Sequence, residues 1–306
     1  MGKNKIILLI FIGLFVFLCV RIIFPDIFWR KVRIVEKVIV PQGRRLYIEE
    51  TATGVVEKRI VDGSTVTYFL DKYDSKLLYS SFSVLDNSNQ DQLFVFDMLN
   101  NSSSNFLKLN IPNIIISSAI FKPETKTLFV LYDLDGLNRL RVLNGKTGDT
   151  INDIKVDAFA HFIDANTSNI LLSNAYRNIF ISSSLTMSHP QHFSIFSLGL
   201  DLEDINLLDV QGFNAIFKPD DPNIIAAIDR DKRLFTYDIS NKIKKTYSIK
   251  CRFIKWIEGT NSLLVVIPKF SPVVGEFADI GVYDLDQGKY TRVMGGYVSV
   301  YKAFYE

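Results

Sequence analysis

Two histidines stand close enough in the chain to contribute to a metal site. His189 and His192 are separated by Pro and Gln, and the only other histidine is His161. A protein metal site of this kind needs further ligands, which the surrounding residues do not supply. The sequence therefore predicts no metal ion and no cofactor, with a site at the two histidines as the alternative.

A second stretch begins like a calcium-binding loop. Asp133-Leu-Asp135-Gly136 has its glycine at the fourth position instead of the sixth, and Asn144 stands at the twelfth position, where a bidentate Glu is required. Acidic residues and glycine at such points are also what tight turns use. We interpret this stretch as a hairpin turn.

Phosphate-binding and nucleophile motifs are incomplete. Gly145-Lys146-Thr147 ends like a phosphate loop, but Leu140 occupies the place of the required first glycine and no helix pattern follows. The G-x-S-x-G element of serine hydrolases is absent from the sequence. Cys251 has no histidine or charged motif beside it and is expected to be a buried apolar residue. No catalytic residue is assigned.

Composition excludes several classes of protein. The chain has 306 residues, of which 48% are hydrophobic and 22% charged, and its formal net charge is +2. These values are typical of a folded chain with a large core and not of a disordered one. A nucleic-acid-binding domain normally carries a marked basic excess, so no nucleic acid partner is expected.

The N-terminus carries a long apolar run. After a short basic tail at 1–5, residues 6–24 are apolar apart from Arg21, and at 1.5 Å rise per residue they span about 30 Å as a helix. No A-x-A-like cleavage site follows, which argues against a removed signal peptide. We predict one transmembrane signal anchor at 6–24 in contact with the lipid bilayer, followed by a juxtamembrane linker at 25–33.

The orientation of this anchor is weakly encoded. Positive charges are more numerous after the apolar run than before it, which would keep the following domain in the cytoplasm. A short basic tail before an apolar run is, however, how export signals begin. We expect a single-pass membrane protein whose C-terminal domain is extracytoplasmic, with the cytoplasmic orientation as the alternative.

A short repeat gives the architecture of the remaining chain. AIFKP occurs at 119–123 and again at 215–219, and an aromatic residue with similar neighbours recurs every 47 residues on average. The recurring aromatic residues are Phe69, Phe121, Phe162, Phe217, Trp256 and Phe304. Each one within the chain is followed by further apolar runs of strand length that are separated by Asp, Asn, Gly and Ser.

Four strands in about 47 residues, repeated along the chain, are typical of β-propeller blades. We predict an all-β fold, a six-bladed β-propeller over 34–306, with five or seven blades as alternatives. The last motif ends after its inner strand, at Phe304, and KVIVP with 46–60 near the start supplies three matching strands. The sixth blade is therefore expected to combine N- and C-terminal strands and to close the ring.

The FKP-acidic turn after Phe121 and Phe217 resembles the F-x-P-D turn of TolB-type and WD-repeat propellers. The hairpins YDLDGLNR and YDLDQGKY are similar to that superfamily as well. The resemblance covers nearly the whole domain and implies a fold and no particular activity. The Trp-Asp dipeptide that names the WD repeats is absent.

One apolar loop is longer than a turn requires, and it is the predicted contact surface: Phe270, Val273, Val274 and Phe277. Loops on rigid scaffolds commonly carry function. We interpret the protein as a membrane-anchored binding or scaffold module of the cell envelope with a protein partner or ligand. The alternative is a propeller hydrolase or lyase that acts on sugars or lactones through carboxylates at the channel mouth. An acidic pair there with a raised pKa would favour the enzyme.

Overall fold

The computed structural model describes residues 37–305 except 43–44, 51–52, 54–55, 62–66, 83–90, 108–113, 158–159, 167, 176–192, 273–274 and 298–302. These residues form 24 β-strands in six four-stranded sheets. The predicted all-β, six-bladed propeller is confirmed over the alternatives with five or seven blades. The predicted tail at 1–5, anchor at 6–24 and linker at 25–33 lie outside the described residues. Among those described, no helix has the length and apolar character needed to cross a membrane.

Each of the first three blades is a run of four consecutive antiparallel strands, with the innermost strand first. Blade 1 contains β4 (Thr67–Tyr73), β5 (Lys76–Phe82), β6 (Asp91–Asp97) and β7 (Ser102–Leu107). Blade 2 contains β8 (Ile114–Lys122), β9 (Thr127–Leu134), β10 (Leu137–Asn144) and β11 (Thr150–Lys155). Blade 3 contains β12 (Phe162–Ala165), β13 (Asn169–Ser173), β14 (Ser194–Gly199) and β15 (Ile205–Gln211).

The next two blades repeat this order, and the sixth is assembled from both ends of the chain. Blade 4 contains β16 (Phe213–Lys218), β17 (Asp221–Ile228), β18 (Arg233–Asp238) and β19 (Ile243–Lys250). Blade 5 contains β20 (Phe253–Ile257), β21 (Ser262–Ser271), β22 (Gly275–Asp284) and β23 (Lys289–Tyr297). Blade 6 contains β24 (Phe304–Tyr305), β1 (Lys37–Gln42), β2 (Arg45–Glu50) and β3 (Val56–Ile60), in that order across the sheet.

The ring closes as predicted, because the C-terminal strand β24 pairs antiparallel with β1. Ile39 lies opposite Phe304, and Val38 lies opposite Tyr305. A two-residue strand makes few backbone hydrogen bonds, so side-chain burial must supply most of the attachment. Phe304 is 1% exposed and packs with residues of blades 6 and 1.

The hydrophobic core is divided among the blade interfaces. The described residues form six buried clusters, each centred on the interface between two consecutive blades, and the cluster between blades 4 and 5 also includes Phe193 of blade 3. Ala119 and Ala215, the small residues of the two AIFKP copies, are fully buried on inner strands. A small residue there lets neighbouring inner strands approach near the axis, as the repeat predicted.

The aromatic register is confirmed in blades 2 and 5 but is shifted in blades 1 and 3. Phe121 pairs with Leu128 and Trp256 pairs with Leu263 across equivalent turns. In blades 1 and 3 an aspartate stands at the inner-strand position that lies equally far from the turn. These residues are Asp71, which pairs with Leu78, and Asp164, which pairs with Leu171. Blade 1 also has a β-bulge between Phe69 and Asp71, whereas β12 and β13 of blade 3 pair without one. Phe69 and Phe162 therefore lie two residues before the position predicted for them.

The sequence motifs that imitate ligand loops are turns. Asp133 accepts a hydrogen bond from the Gly136 N–H at 3.0 Å, and Gly136 has a φ of 80°, which glycine adopts without strain. Asn144 accepts from the N–H of Lys146 at 2.9 Å and so closes the turn of the Gly-Lys-Thr stretch. Cys251 is fully buried, and burial raises the pKa of its thiol. It behaves as the apolar residue that was expected.

Candidate functional site

A cavity of about 920 Å³ opens on the propeller axis and extends outward along blades 2 and 3 to Val142, Ile151 and Leu200. All six inner strands line it, together with the turns that join the inner strand of a blade to its second strand, such as 123–126 and 258–261. We call this cavity the funnel and the face that carries those turns the funnel face. The opposite face, which carries the turns between second and third strands, is the hairpin face.

A lysine and an aspartate from different blades meet in the funnel. Lys255 Nζ on β20 lies 3.3 Å from Asp71 Oδ1 on β4, although the two residues are 184 positions apart. The same ammonium lies 5.2 Å from the ring centre of Phe304 on β24. The other oxygen of Asp71 accepts a hydrogen bond from the Phe121 N–H at 3.3 Å. The funnel therefore already holds one ammonium group between a carboxylate and an aromatic ring.

Asp164 repeats the position of Asp71 two blades further on. Its Oδ2 accepts a hydrogen bond from the Phe217 N–H of the next blade at 2.7 Å, as Asp71 does from Phe121. Asp164 lines the funnel and is half-buried. Within the described part of the chain, no cation lies within ion-pair distance of this carboxylate. Both aspartates therefore accept a backbone hydrogen bond from the next blade, but only Asp71 forms an ion pair among the described residues.

Burial raises the pKa of Asp164 above its ordinary value, and the nearby Asp71 carboxylate adds to the rise. Attraction to Lys122 and Lys255 and the Phe217 N–H oppose it. A further positive charge close to such a carboxylate stabilises its ionised form. Asp164 is thus a funnel carboxylate that a cationic ligand would stabilise in its ionised form.

Aromatic side chains form part of the funnel wall. The aromatic side chains that line it are Tyr73, Phe121, Phe129, Phe162, Phe217, Phe253, Trp256, Phe304 and Tyr305. Trp256 is 3% exposed, and its indole N–H has no hydrogen-bond partner among the described residues. A buried donor of this kind gains stability when an acceptor reaches it.

The predicted contact surface lies on the hairpin face, at the end of a two-stranded extension rather than in a loop. Phe270 pairs with Glu276, and Lys269 pairs with Phe277. Since side chains alternate along a strand, Phe270 and Phe277 face opposite sides of the hairpin. Phe270 is 77% exposed and Phe277 is half-buried. Val273 and Val274 lie outside the described residues.

Of the three histidines, the structure describes only His161. His161 precedes β12 and does not line the cavity; its Nδ1 lies 3.4 Å from Ser117 Oγ. Burial lowers the pKa of His161 against the attraction of Asp133 and Asp157. His189 and His192 fall outside the described residues. Among the residues described, no three His, Cys, Asp or Glu side chains come close enough to hold a metal ion.

Sequence reasoning missed the charged residues of the funnel. Asp71, Asp164 and Lys255 each interrupt an apolar inner-strand run, in TYFLD, HFID and FIKWI. A lone charge inside an otherwise apolar strand is expensive to bury, and it is therefore a signal that could have been used. The alignment on Phe69 and Phe162 hid this signal, because it placed the aromatic residue where the structure has an aspartate.

Comparisons with known proteins establish the fold. No protein-family profile matches the chain, and no curated protein shows a significant match. The crystal structure of TolB from Acinetobacter baumannii superposes with a TM-score of 0.61 at 10% identity over 87% of this chain. The WD40 domain of Neurospora crassa Pan2 superposes with a TM-score of 0.50 at 13% identity, covering 85% of this chain and 72% of that domain.

The chain spans 65% of the TolB structure that it matches. At these identities the likeness establishes a TolB-like and WD-repeat-like propeller and carries no information on partners or chemistry. The predicted resemblance is thereby confirmed at the level of the fold.

Proposed function

We propose that the protein is a membrane-anchored β-propeller that binds a protein or small ligand and acts as a scaffold in the cell envelope. In this proposal residues 6–24 cross the bilayer once and the propeller is extracytoplasmic. The observation that carries the binding function is the funnel, a cavity of about 920 Å³ with polar and aromatic walls supplied by all six blades. Rigid scaffolds with such cavities are suited to binding.

The topology supports a proposal about which face of the propeller lies nearer to the anchor. β1 begins at Lys37, and Val38 pairs with Tyr305. The Tyr305 hydroxyl accepts a hydrogen bond at 3.0 Å from the N–H of Glu258, a turn residue of the funnel face. The chain therefore enters the propeller on the funnel face. Residues 25–36 can extend over about 40 Å at most and join the propeller at the funnel face, and we therefore propose that the funnel opens toward the bilayer.

Fluorescence energy transfer from the propeller to a dye on the lipid headgroups tests this arrangement. The full chain, with Cys19 replaced by serine, is reconstituted into liposomes with a donor at Glu124→Cys on the funnel face or at Phe270→Cys on the hairpin face. Strands of seven residues separate the two faces by about 20 Å. We expect clearly stronger transfer from position 124 than from position 270.

Equal transfer from both positions, or stronger transfer from position 270, would contradict the arrangement. A chain that begins at residue 34 serves as the control and is expected to show no transfer. Transfer from that shortened chain would remove the proposed role of residues 6–24. Protease added to intact cells then distinguishes an extracytoplasmic propeller from a cytoplasmic one.

A hydrolase or lyase remains the second candidate, because two carboxylates, Asp71 and Asp164, line the funnel and the pKa of Asp164 is raised. Asp71 is bound by Lys255 and the Phe121 N–H, which leaves Asp164 as the residue for acid-base work. The two functions differ in what happens to the bound molecule. An enzyme converts the molecule that the funnel binds, whereas a binding module releases it unchanged.

A further inference from the structure

We propose that the funnel binds a primary ammonium group, carried on an apolar stem, at Asp164. This inference rests on the proposed binding function and names the chemistry of its ligand. It comes from comparing Asp164 with Asp71, which occupies the same position in another blade and already holds an ammonium group.

The pair of Lys255 and Asp71 shows how the funnel receives an ammonium group. The Lys255 side chain enters as an apolar stem, its Nζ lies 3.3 Å from a carboxylate oxygen, and an aromatic ring lies 5.2 Å away. The carboxylate is fixed from behind by the N–H of Phe121. Carboxylate and aromatic ring together are the usual protein environment of a desolvated ammonium group.

Asp164 offers the same arrangement to an external ligand. Its carboxylate is fixed by the Phe217 N–H at 2.7 Å, and the cavity that it lines also has aromatic side chains in its wall. Lys255 belongs to blade 5, which stands two blades before Asp71 around the ring. Blade 1 stands two blades before Asp164, and within the described part of the chain none of its lysines forms an ion pair with Asp164. One Asp164 oxygen is thus held by the backbone, and the other has no hydrogen-bond donor within the described part of the chain.

The charges that line the funnel favour a cation over an anion. The acidic residues of the lining are Asp71, Asp74, Glu124, Asp164 and Glu258, and the basic residues are Lys72, Lys122 and Lys255. Five carboxylates against three ammonium groups leave an excess of negative charge. Lys122 attracts Asp164 but forms no ion pair with it among the described residues.

Two further features define the rest of the ligand. A volume of about 920 Å³ lies in the range of small-molecule sites, and its aromatic walls suit an apolar stem. The cavity thus suits an ammonium group on an apolar stem of small-molecule size.

Calorimetric titration of the full chain in neutral detergent with 2-phenylethylamine and with its uncharged analogue 2-phenylethanol tests the proposal. Charged hydrogen bonds to a half-buried carboxylate correspond to roughly a tenfold to hundredfold difference in affinity. We expect the amine to bind more tightly than the alcohol by at least the lower figure. Equal affinities, or tighter binding of the alcohol, would overturn the proposal without any variant being made.

Three variants assign the effect to Asp164. Asp164→Asn keeps a hydrogen-bond acceptor for Phe217 and is expected to reduce amine affinity to that of the alcohol. Glu124→Gln makes the same charge change at the exposed rim and is expected to alter affinity by less than about twofold, because exposed charges are screened. Lys255→Met releases Asp71 and is expected to create a second amine site. An equal loss of amine affinity in Asp164→Asn and Glu124→Gln would contradict the assignment to Asp164. An unchanged amine affinity in Asp164→Asn would contradict it as well.

A primary ammonium group on an apolar stem is found both in free amines and in lysine side chains. Titration with Nα-acetyl-lysine amide beside 2-phenylethylamine distinguishes these sources, since the probe that binds more tightly identifies the carrier. If neither amine prefers the funnel while the energy-transfer result stands, the ligand class is wrong and the anchored module is unaffected. If the amine binds but energy transfer is not stronger from position 124, the anchored arrangement is wrong and the ligand class is unaffected.

Discussion

Replacing Phe304 with alanine is expected to lower the free energy of unfolding by about 3–5 kcal/mol, as measured by chemical denaturation. The side chain is 1% exposed and packs against Ile39, Leu46 and residues of blade 1. It is also one of two residues in β24, so its removal weakens both the core between blades 6 and 1 and the strand that closes the ring. Loss of closure exposes sheet edges on both sides of the gap.

The same change at Phe270 is the matched control. Phe270 is 77% exposed at the hairpin face, and Phe270→Ala is expected to change the unfolding free energy by less than about 0.5 kcal/mol. Equal effects at the two positions would show that β24 does not hold the ring together. A small effect at Phe304 alone would lead to the same conclusion.

The Asp153→Ala variant is expected to lose about 2–3 kcal/mol of unfolding free energy. Asp153 on β11 accepts hydrogen bonds from Arg139 Nε at 2.8 Å, from Arg141 Nε at 2.7 Å and from the hydroxyl of the buried Tyr132 at 2.9 Å. Without this carboxylate, two guanidinium groups on one strand face each other with no shared counter-charge. The buried Tyr132 hydroxyl also loses its acceptor.

This contribution depends on pH in a defined direction. Burial alone would raise the pKa of Asp153, but hydrogen bonds from Arg141, Tyr132 and Arg139 outweigh it and hold the pKa below its ordinary value. A carboxyl group with a lowered pKa stabilises the folded state above the unfolded-state pKa, which is about 4 for aspartate. We therefore expect the difference between the wild type and Asp153→Ala to be complete at neutral pH and to shrink as the pH falls below about 4.

Asp209→Ala removes an exposed carboxylate and serves as the control. Asp209 pairs with Lys242 at 2.6 Å, but both side chains are more than 60% exposed, at 65% and 70%. Exposed ion pairs contribute little, so the expected loss is below about 1 kcal/mol. A loss as large as that of Asp153→Ala would mean that the Asp153 network carries no special stability.

The repeat in the sequence predicted the propeller because each blade repeats the same physical requirements. A small residue and an aromatic residue two positions later recur where inner strands crowd around the axis, and acidic turns recur where strands end. The pairing of both termini could be predicted because the last motif lacked strands that 46–60 supplied. These are local patterns, and a single sequence contains them.

The funnel could not be predicted in the same way. The pair of Asp71 and Lys255 joins residues 184 positions apart, and no local pattern connects them. The alignment of aromatic residues took Phe69 and Phe162 as equivalent to Phe121, whereas Asp71 and Asp164 hold that position when it is counted from the turn. The hairpin that bears Phe270 was likewise predicted as a loop, because Phe270 and Ser271 continue the pairing of β21 with β22 beyond the turn signals.

The funnel and the proposed contact surface at Phe270 lie on opposite faces of the propeller. The funnel, the start of β1 and the Tyr305 contact with Glu258 share one face, and the exposed Phe270 lies on the other. In the anchored arrangement, a ligand reaches Asp164 from the space between the propeller and the bilayer. In the same proposed arrangement, a protein partner at Phe270 would bind the face turned away from the membrane.

Everything assigned to the funnel depends on ring closure by the two termini, and a disulfide tests that closure most directly. Val38 and Tyr305 are direct partners across an antiparallel pair, a separation that suits a disulfide. We expect the double variant Val38→Cys/Tyr305→Cys to form this bond within one chain on mild oxidation, as identified by peptide mass mapping. Val38→Cys combined with Phe270→Cys should not cross-link. Free thiols at 38 and 305 after oxidation, or disulfides only between chains, would contradict the closed six-bladed ring.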